Sequence, residues 1–435
     1  MLESFISILS GTVMPVLLLG TGLVFSFRLR FFWIAHPIRC AKLLLSGTSG
    51  DGQTPLRAMT VALAGTLGVG NIAGVATAIS AGGAGAVFWM WVSATLAMGV
   101  KYAEVTLAVA HRRTETAGGT KSRYGGAMYY IRDMISPAAG GFFAVLCMAN
   151  ALITGNILQV NAAASVCAPV IPPVAVGIVM AVLCAAVTVG SAKRISDVTV
   201  RLIPILSIIY IVLSLGIIAS HIGEVPGLLA KIVRDAFGIR PLGGGMAGVS
   251  VAAAIRYGVT RGILSNEAGS GTSPTAHASA DTNDPHRQGV FGIFEVFADT
   301  VIICTLTAFV ILLLPEQAGE DGVRLAALAY STFAGEYAGY VISGSVVMFA
   351  FATVICQAYY GMVAVGYFSR SPRAKRGWLW GYSITCVIGS LISPSVMWSC
   401  ADLCIAGMTA FNTAVLMAGF LSERYRREML PDVRR

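Results

Sequence analysis

Of the 435 residues, 56% are hydrophobic and only 12% carry a charge, whereas ordinary soluble domains are roughly 25% charged. Two or three soluble domains would fit the length but would have too little polar surface, which excludes a soluble enzyme, a nucleic-acid binder and a disordered hub. The net charge of +9 comes from basic residues set between apolar runs, so it orients an integral membrane protein rather than recruiting a nucleic acid.

The chain reads as eleven membrane-crossing helices of roughly 20 residues each, over 5–27, 56–81, 84–111, 139–168, 172–191, 196–220, 246–280, 289–314, 338–368, 377–394 and 396–421. The first follows Met1-Leu2-Glu3, which lacks the basic region of a cleaved signal, so it is expected to be retained. Segment 28–45 mixes aromatics with Arg28, Arg30, Arg39 and Lys42 and is expected to lie in the interface, as is 124–136. The nine cysteines fall mostly in apolar runs, form no CxxC pair and read as small buried residues.

Charge placement orients the spans. The tail, 422–435, holds Arg424, Arg426, Arg427, Arg434 and Arg435, which puts the C-terminus in the cytoplasm and the N-terminus outside. Further inside charges are Arg112, Arg113, Lys121, Arg123 and Arg132; Lys193, Arg194 and Arg201; Arg287; and Arg370, Arg373, Lys375 and Arg376. With the 28–45 set, twenty-two basic residues lie inside, against Lys231, Arg234, Arg240 and Arg324 outside. The 315–337 loop is acidic, with Glu316, Glu320, Asp321 and Glu336.

Two spans carry glycines and polar groups at mid-membrane depth: Ala64 to Gly74 (AGTLGVGNIAG) and Arg261 to Thr272 (RGILSNEAGSGT). Backbone that leaves helical geometry there is tolerated only around a cavity or ligand. With the first span set aside, the two interruptions occupy positions one and six of ten. That matching points to an inverted-repeat secondary transporter with its site at the breaks. Close helix packing at Gly70 and Gly74 is the competing explanation for a single span, but it leaves Asn71, Asn266 and Glu267 without a reason.

The runs TVALAGTLGVGNIAGVATAISAGGAGAVFWMWVSA, MGVKYAEVTLAV, YGGAMYYI, TRGILSNEAGSGTSPTAHASA, DTVIICTLTAF and WSCADL, in that order, closely resemble the bacterial alanine/glycine:cation symporter family, also called amino acid carrier proteins. The resemblance covers nearly the whole chain from about residue 50. It implies an all-α LeuT-like fold of about eleven helices, with an extra N-terminal helix and interfacial segment (1–45) ahead of a five-plus-five inverted repeat (46–421). The halves are about 56–220 and 246–421. It also implies sodium-driven uptake of a small neutral amino acid through a bacterial plasma membrane, with sodium as coupling ion and no other cofactor.

A zwitterion at the midplane needs donors for its carboxylate and acceptors for its ammonium. Gly68, Val69, Gly70 and Asn71 at the first break offer backbone N–H groups. Leu264, Ser265 and Asn266 at the second offer carbonyls and a hydroxyl. The family likeness adds Gln159, which donates and accepts together. By the same likeness one sodium ion is expected between the carbonyls of Ala64 and Leu67, Ala350 and the Thr353 hydroxyl, with a second candidate near Thr66 and Asn71. Glu267 is expected to hold the unwound N–H groups of its own break, and Lys101 and Glu104 to form a snorkelling pair near the cytoplasmic end. Asp299 and Asp402 are expected to make gating or packing bonds, and Arg256 and Arg261 gate pairs with partners the sequence does not name.

Three departures from the family pattern bear on substrate. Gln357 stands where tryptophan is usual, Met362 where glutamate is usual, and Ile405-Ala406 where Asn-Gly is usual. Glutamine in place of an indole suggests a pocket for neutral amino acids larger or more polar than alanine, such as serine, threonine or glutamine. The alternatives are a proton-coupled carrier of another small zwitterion, or a binding or channel-like relative that moves nothing by exchange. A membrane enzyme lacks its usual residues: there is no HExxH, GxSxG or Walker A run.

Overall fold

A computed structural model describes residues 6, 8–45, 53–117, 120–189, 192–238, 251–314, 320 and 322–430. The side chain of Lys121, together with Arg240, Glu316, Asp321, Arg434, Arg435 and residues 246–250 of the second interrupted span, lies outside the described residues.

Proline and short polar caps start the helices where the apolar runs begin. Pro55, Pro137, Pro173, Pro285, Pro372 and Pro394 each occupy a first-turn position, where a missing N–H has no cost. Thr54 and Ser136 side chains accept the N–H of Arg57 (3.2 Å) and Ala139 (3.1 Å). Asp284 accepts from His286 and Arg287 at 3.0 and 3.1 Å. These caps satisfy the open N–H groups of a first turn.

The helices that position the site are α1 (Leu9–Arg28), α2 (Pro55–Thr66), α3 (Ala73–Gly82), α4 (Gly85–Ala110), α5 (Pro137–Cys167), α6 (Pro173–Thr188), α7 (Lys193–Ser220), α8 (Val251–Asn266), α9 (Pro274–His277), α10 (Pro285–Leu312), α11 (Glu336–Phe368), α12 (Pro372–Gly389) and α13 (Pro394–Leu421). Among the described residues, seven helices are long and apolar enough to cross a membrane, or eight if α2 and the bent segment Val69–Gly82 count as one span. The other three expected spans are helical too. α6 has 16 residues, α12 begins with Arg373, Lys375 and Arg376, and α8 is polar. The polarity of α8 has a packing reason: every residue from Gly258 to Asn266 is buried by protein, so that stretch meets no lipid.

α8 lies against α4 and α3, while α4 also packs on α10. α5 packs on α11, and α6 on α12. The outer helices leave apolar side chains exposed, among them Ile208 and Val212 on α7 and Ile384 on α12. An antiparallel hairpin, β1 (Arg113–Ala117) and β2 (Thr120–Tyr124), follows α4 with Arg113 opposite Tyr124. Segment 28–45 forms two short helices, and Pro37–Leu45 buries none of its residues. The 124–136 segment differs from expectation. Its helix, Ala127–Met134, buries Ala127 to Ile131, and Tyr130 donates to Asn412 at 2.6 Å. Its apolar face is covered by protein rather than by lipid. Cys147, Cys184, Cys304, Cys356 and Cys386 are buried.

Candidate functional site

The first interrupted span bends by 65° between α2 and the 3-10 turn Val69–Asn71 that leads into α3. Gly68 is extended (φ −132°, ψ −152°), a conformation open to any residue. Room is the constraint instead: a Cβ there would lie 2.8 Å from both Gln159 Oε1 and Thr353 Oγ1, so those site groups would have to shift. The two N–H groups at the break are held by amide side chains. Asn71 Oδ1 accepts from Gly68 N at 3.0 Å, and Gln159 Oε1 accepts from Val69 N at 3.0 Å. Gln159 Nε2 donates to the Thr154 carbonyl (3.2 Å), within a π-helical turn, Ile153–Ile157, of α5.

The second interruption follows Asn266. Glu267 has a left-handed φ of 51°, with Gly269 at 82° and Gly271 at 75°, a region that side chains other than glycine rarely adopt. The two breaks meet at Gly70, where a Cβ would lie 3.2 Å from Ser265 Cα and 3.5 Å from the Leu264 carbonyl. Asp299 joins them. It accepts from Asn71 Nδ2 (2.8 Å), Ser265 Oγ (2.7 Å) and Thr300 Oγ1 (2.8 Å), and Thr300 in turn accepts from Asn266 Nδ2 (3.0 Å). Gly68, Val69, Gly70, Asn71, Gln159, Leu264, Ser265 and Asn266 therefore fall within one connected buried centre.

On the opposite wall, Thr353 Oγ1 donates to the Ala64 carbonyl at 3.1 Å and the Leu67 carbonyl at 3.4 Å. Ala350, fully buried, lies one turn earlier on α11. Thr66 turns away: its hydroxyl donates to Ala62 and Leu63 carbonyls of its own helix, both at 3.4 Å. With Asn71 engaged by Asp299, Thr66 and Asn71 form no shared oxygen cage among the described residues. Gln357 Nε2 donates to Glu267 Oε1 at 3.0 Å, and its side chain packs over Gly155 of α5.

Two expectations about buried charge are overturned. Lys101 and Glu104 do not snorkel; both are 0% exposed. Lys101 Nζ donates to the Asn266 carbonyl (3.0 Å) and Ser273 Oγ (2.5 Å) and pairs with Glu295 (3.4 Å). Its flexible stem carries the ammonium across to the end of α8, where a helix C-terminus favours a cation. The unwound N–H groups of the second break are held by Glu104, not by Glu267: Glu104 accepts from Gly269 N (3.0 Å), Gly271 N (2.9 Å) and Asn412 Nδ2 (2.6 Å). Glu267, with its backbone in the left-handed region, instead receives the Thr272 hydroxyl and Gln357. Ionisable residues deep in apolar spans were the available signal for these roles, but spacing along one helix could not show that the partners sit on others.

Arg261 has a partner. It pairs with both Asp402 oxygens, at 2.6 and 3.3 Å, with its guanidinium 4.8 Å from the Trp398 ring centre. Arg256 lies 5.6 Å from the Tyr257 ring. A cavity of about 390 Å³ opens beside the hairpin, lined by Val61, Tyr359, Arg123, Asp281, Lys193 and Arg370 among others. Tyr359 in its lining is six residues along α11 from Thr353, or about 9 Å of helix.

The fold is that of a membrane transporter. A manganese transporter from Eremococcus coleocola superposes with a TM-score of 0.54 over 85% of this chain and 79% of that one, at 13% identity. The chain belongs to the sodium:alanine symporter family, whose model matches residues 1–428. It is thus a multi-pass membrane protein of a transporter family rather than of an enzyme family. Its relatives include the "Sodium/alanine symporter AgcS" of Methanococcus maripaludis, 33% identical over 94% of this chain and 91% of that protein. The "Probable sodium/glutamine symporter GlnT" of Bacillus subtilis is 31% identical, over 98% and 89%. The "Amino-acid carrier protein AlsT" of the same bacterium is 34% identical, over 92% and 85%.

Proposed function

We propose that this protein imports a small neutral amino acid with sodium, by alternating access around the joined breaks. The observation that carries the reading is the meeting of Thr353 with the Ala64 and Leu67 carbonyls across the first break. Three oxygens from two helices form a neutral, hard-donor site beside the unwound backbone, suited to a monovalent cation. Ala350 supplies its carbonyl from the turn before. The substrate carboxylate displaces Gln159 and Asn71 from the Val69 and Gly68 N–H groups. Asn266, Ser265 and Leu264 close the facing side. The relatives named for alanine and for glutamine support a neutral amino acid.

Eleven crossings in a five-plus-five inverted repeat fit the packing. α2–α3 and α8–α9 are the broken pair, and the helices that would correspond between halves (α4 with α10, α5 with α11, α6 with α12) lie against each other. The exposed apolar faces of α6 and α12 give the two borderline helices lipid contact. The 390 Å³ cavity is then the cytoplasmic arm of the pathway, consistent with the basic residues around it and a cytoplasmic C-terminus in a bacterial plasma membrane.

Uptake by the purified protein in vesicles, across twenty amino acids with and without sodium, tests the reading. Thr353→Ala is expected to raise the sodium concentration for half-maximal uptake about tenfold to a hundredfold, the range for losing one bond to a charged group. An unchanged sodium dependence would remove Thr353 from the ion site. The size of the cargo rests on Gln357. Gln357→Trp is expected to shift preference from glutamine towards alanine, and competition showing the same ratio as the parent would sink a role in selectivity.

A further inference from the structure

Four carboxylates are buried around the second break, and three are well provided for. Glu104 has three N–H donors. Asp299 has an amide and two hydroxyls. Glu295 has Lys101, the Ser273 hydroxyl and His277, the last at 2.9 Å. Glu267 is different: among the described residues it receives only one hydroxyl and one amide N–H. An ionised carboxylate offers about four acceptor positions, and leaving such positions unfilled inside a protein is costly. Glu267 is 3% exposed.

Two further buried hydroxyls lie near Gln357 along the chain or beside the residue it packs on. Among the described residues, Thr154 Oγ1 and Tyr360 OH are both buried with no nitrogen or oxygen partner. Thr154 precedes Gly155, the residue on which Gln357 packs. Tyr360 lies three residues beyond Gln357 on α11, and a Cβ at Gly65 of the first break would lie 2.8 Å from its hydroxyl oxygen. One anion and two hydroxyls thus lie on the three elements that meet at the Gln357–Glu267 bond, and each has acceptor capacity to spare. A protonated primary amine is a cation with three N–H donors.

The geometry points to Glu267 as the receptor for the substrate's ammonium group, with Thr154 and Tyr360 completing its three hydrogen bonds and Gln357 holding the carboxylate in place beforehand. This rests on the amino-acid reading of the same site and assigns its charge recognition. The carboxylate end of the zwitterion meets the neutral N–H groups of the first break, and the ammonium end meets the buried carboxylate with the fewest donors of the four. Glu267 would then select for the α-amine itself, whatever the side chain.

The test compares an amino acid with its hydroxy analogue: inhibition of radiolabelled alanine uptake by unlabelled alanine and by lactate, in vesicles, for the parent, Glu267→Gln and Thr154→Val. The parent must first show sodium-dependent alanine uptake; if it takes up no amino acid, the functional reading fails before this one is reached. Glu267→Gln is expected to weaken alanine about 30-fold, within the range for losing a charge-assisted bond, while lactate changes little, so discrimination collapses. Thr154→Val, which keeps the shape, is expected to weaken alanine about fivefold, a neutral bond's worth. It stands as the readout if Glu267→Gln does not fold. Parent-like discrimination in a folded Glu267→Gln overturns the proposal. So does a variant whose sodium requirement rises while alanine affinity holds, because Glu267 would then serve the ion.

Discussion

Replacing Gly68 by valine is expected to lower uptake at least about 100-fold, a loss of roughly 2.7 kcal/mol of binding or coupling, while the protein remains folded. The extended backbone at Gly68 accepts a side chain; the space does not. Its Cβ would meet Gln159 Oε1 and Thr353 Oγ1 at 2.8 Å. These are the group that holds the Val69 N–H and the group that joins the Ala64 carbonyl. Overpacking of this kind costs about 1–3 kcal/mol, and here the strain falls on side-chain ends at the site rather than on the surrounding helices. Uptake and thermal unfolding measured on the same preparation separate the two effects. A folded Gly68→Val protein with parent-like uptake would contradict the placement of both amino acid and ion at the first break.

The largest stability effect belongs to Lys101. Removing one partner of a buried ion pair costs about 3–5 kcal/mol, because the remaining charge is left uncompensated. Lys101→Met strips the ammonium from Glu295, from the Asn266 carbonyl that ends α8 and from Ser273. The expected result is a protein unfolding at markedly lower temperature. Glu295→Gln added to Lys101→Met removes the stranded anion and should recover much of the loss, giving a coupling energy of at least about 2 kcal/mol in the double-mutant cycle. His277, which bonds Glu295 at 2.9 Å and Gln288 at 2.7 Å, stays in place in both. Additive effects of the two substitutions would show that the pair is not a unit.

Much of this architecture can be read along the chain because local rules set it. Proline and polar caps mark where helices begin, and the glycines at 68–70 and 269–271 mark where two of them stop. The Gln159, Ala64, Leu67 and Thr353 constellation was reachable only through the resemblance. Nothing in the spacing of Thr353 says that it faces a carbonyl nearly 290 residues earlier rather than its own helix, as Thr66 does.

The charge network is hidden from the sequence for a related reason. Lys101 and Glu104 are three apart on α4, a spacing that favours a local pair, yet both reach α8 and the break that follows it. Glu267 lies inside the break it was expected to brace, but its left-handed backbone accompanies a side chain turned to Gln357 and Thr272, leaving the N–H groups to Glu104. Helix 127–134 shows the same limit: an amphipathic pattern identifies an apolar face but does not say whether lipid or protein covers it.

If the two joined breaks carry an amino acid coupled to sodium, the sodium gradient alone must drive its accumulation. The most direct measurement loads vesicles containing the purified protein with potassium buffer and dilutes them into sodium buffer with labelled alanine or glutamine. The expected result is transient accumulation above the external concentration, abolished when a sodium ionophore collapses the gradient and in Gly68→Val. Uptake that only equilibrates with the outside, or accumulates equally without sodium, would contradict it.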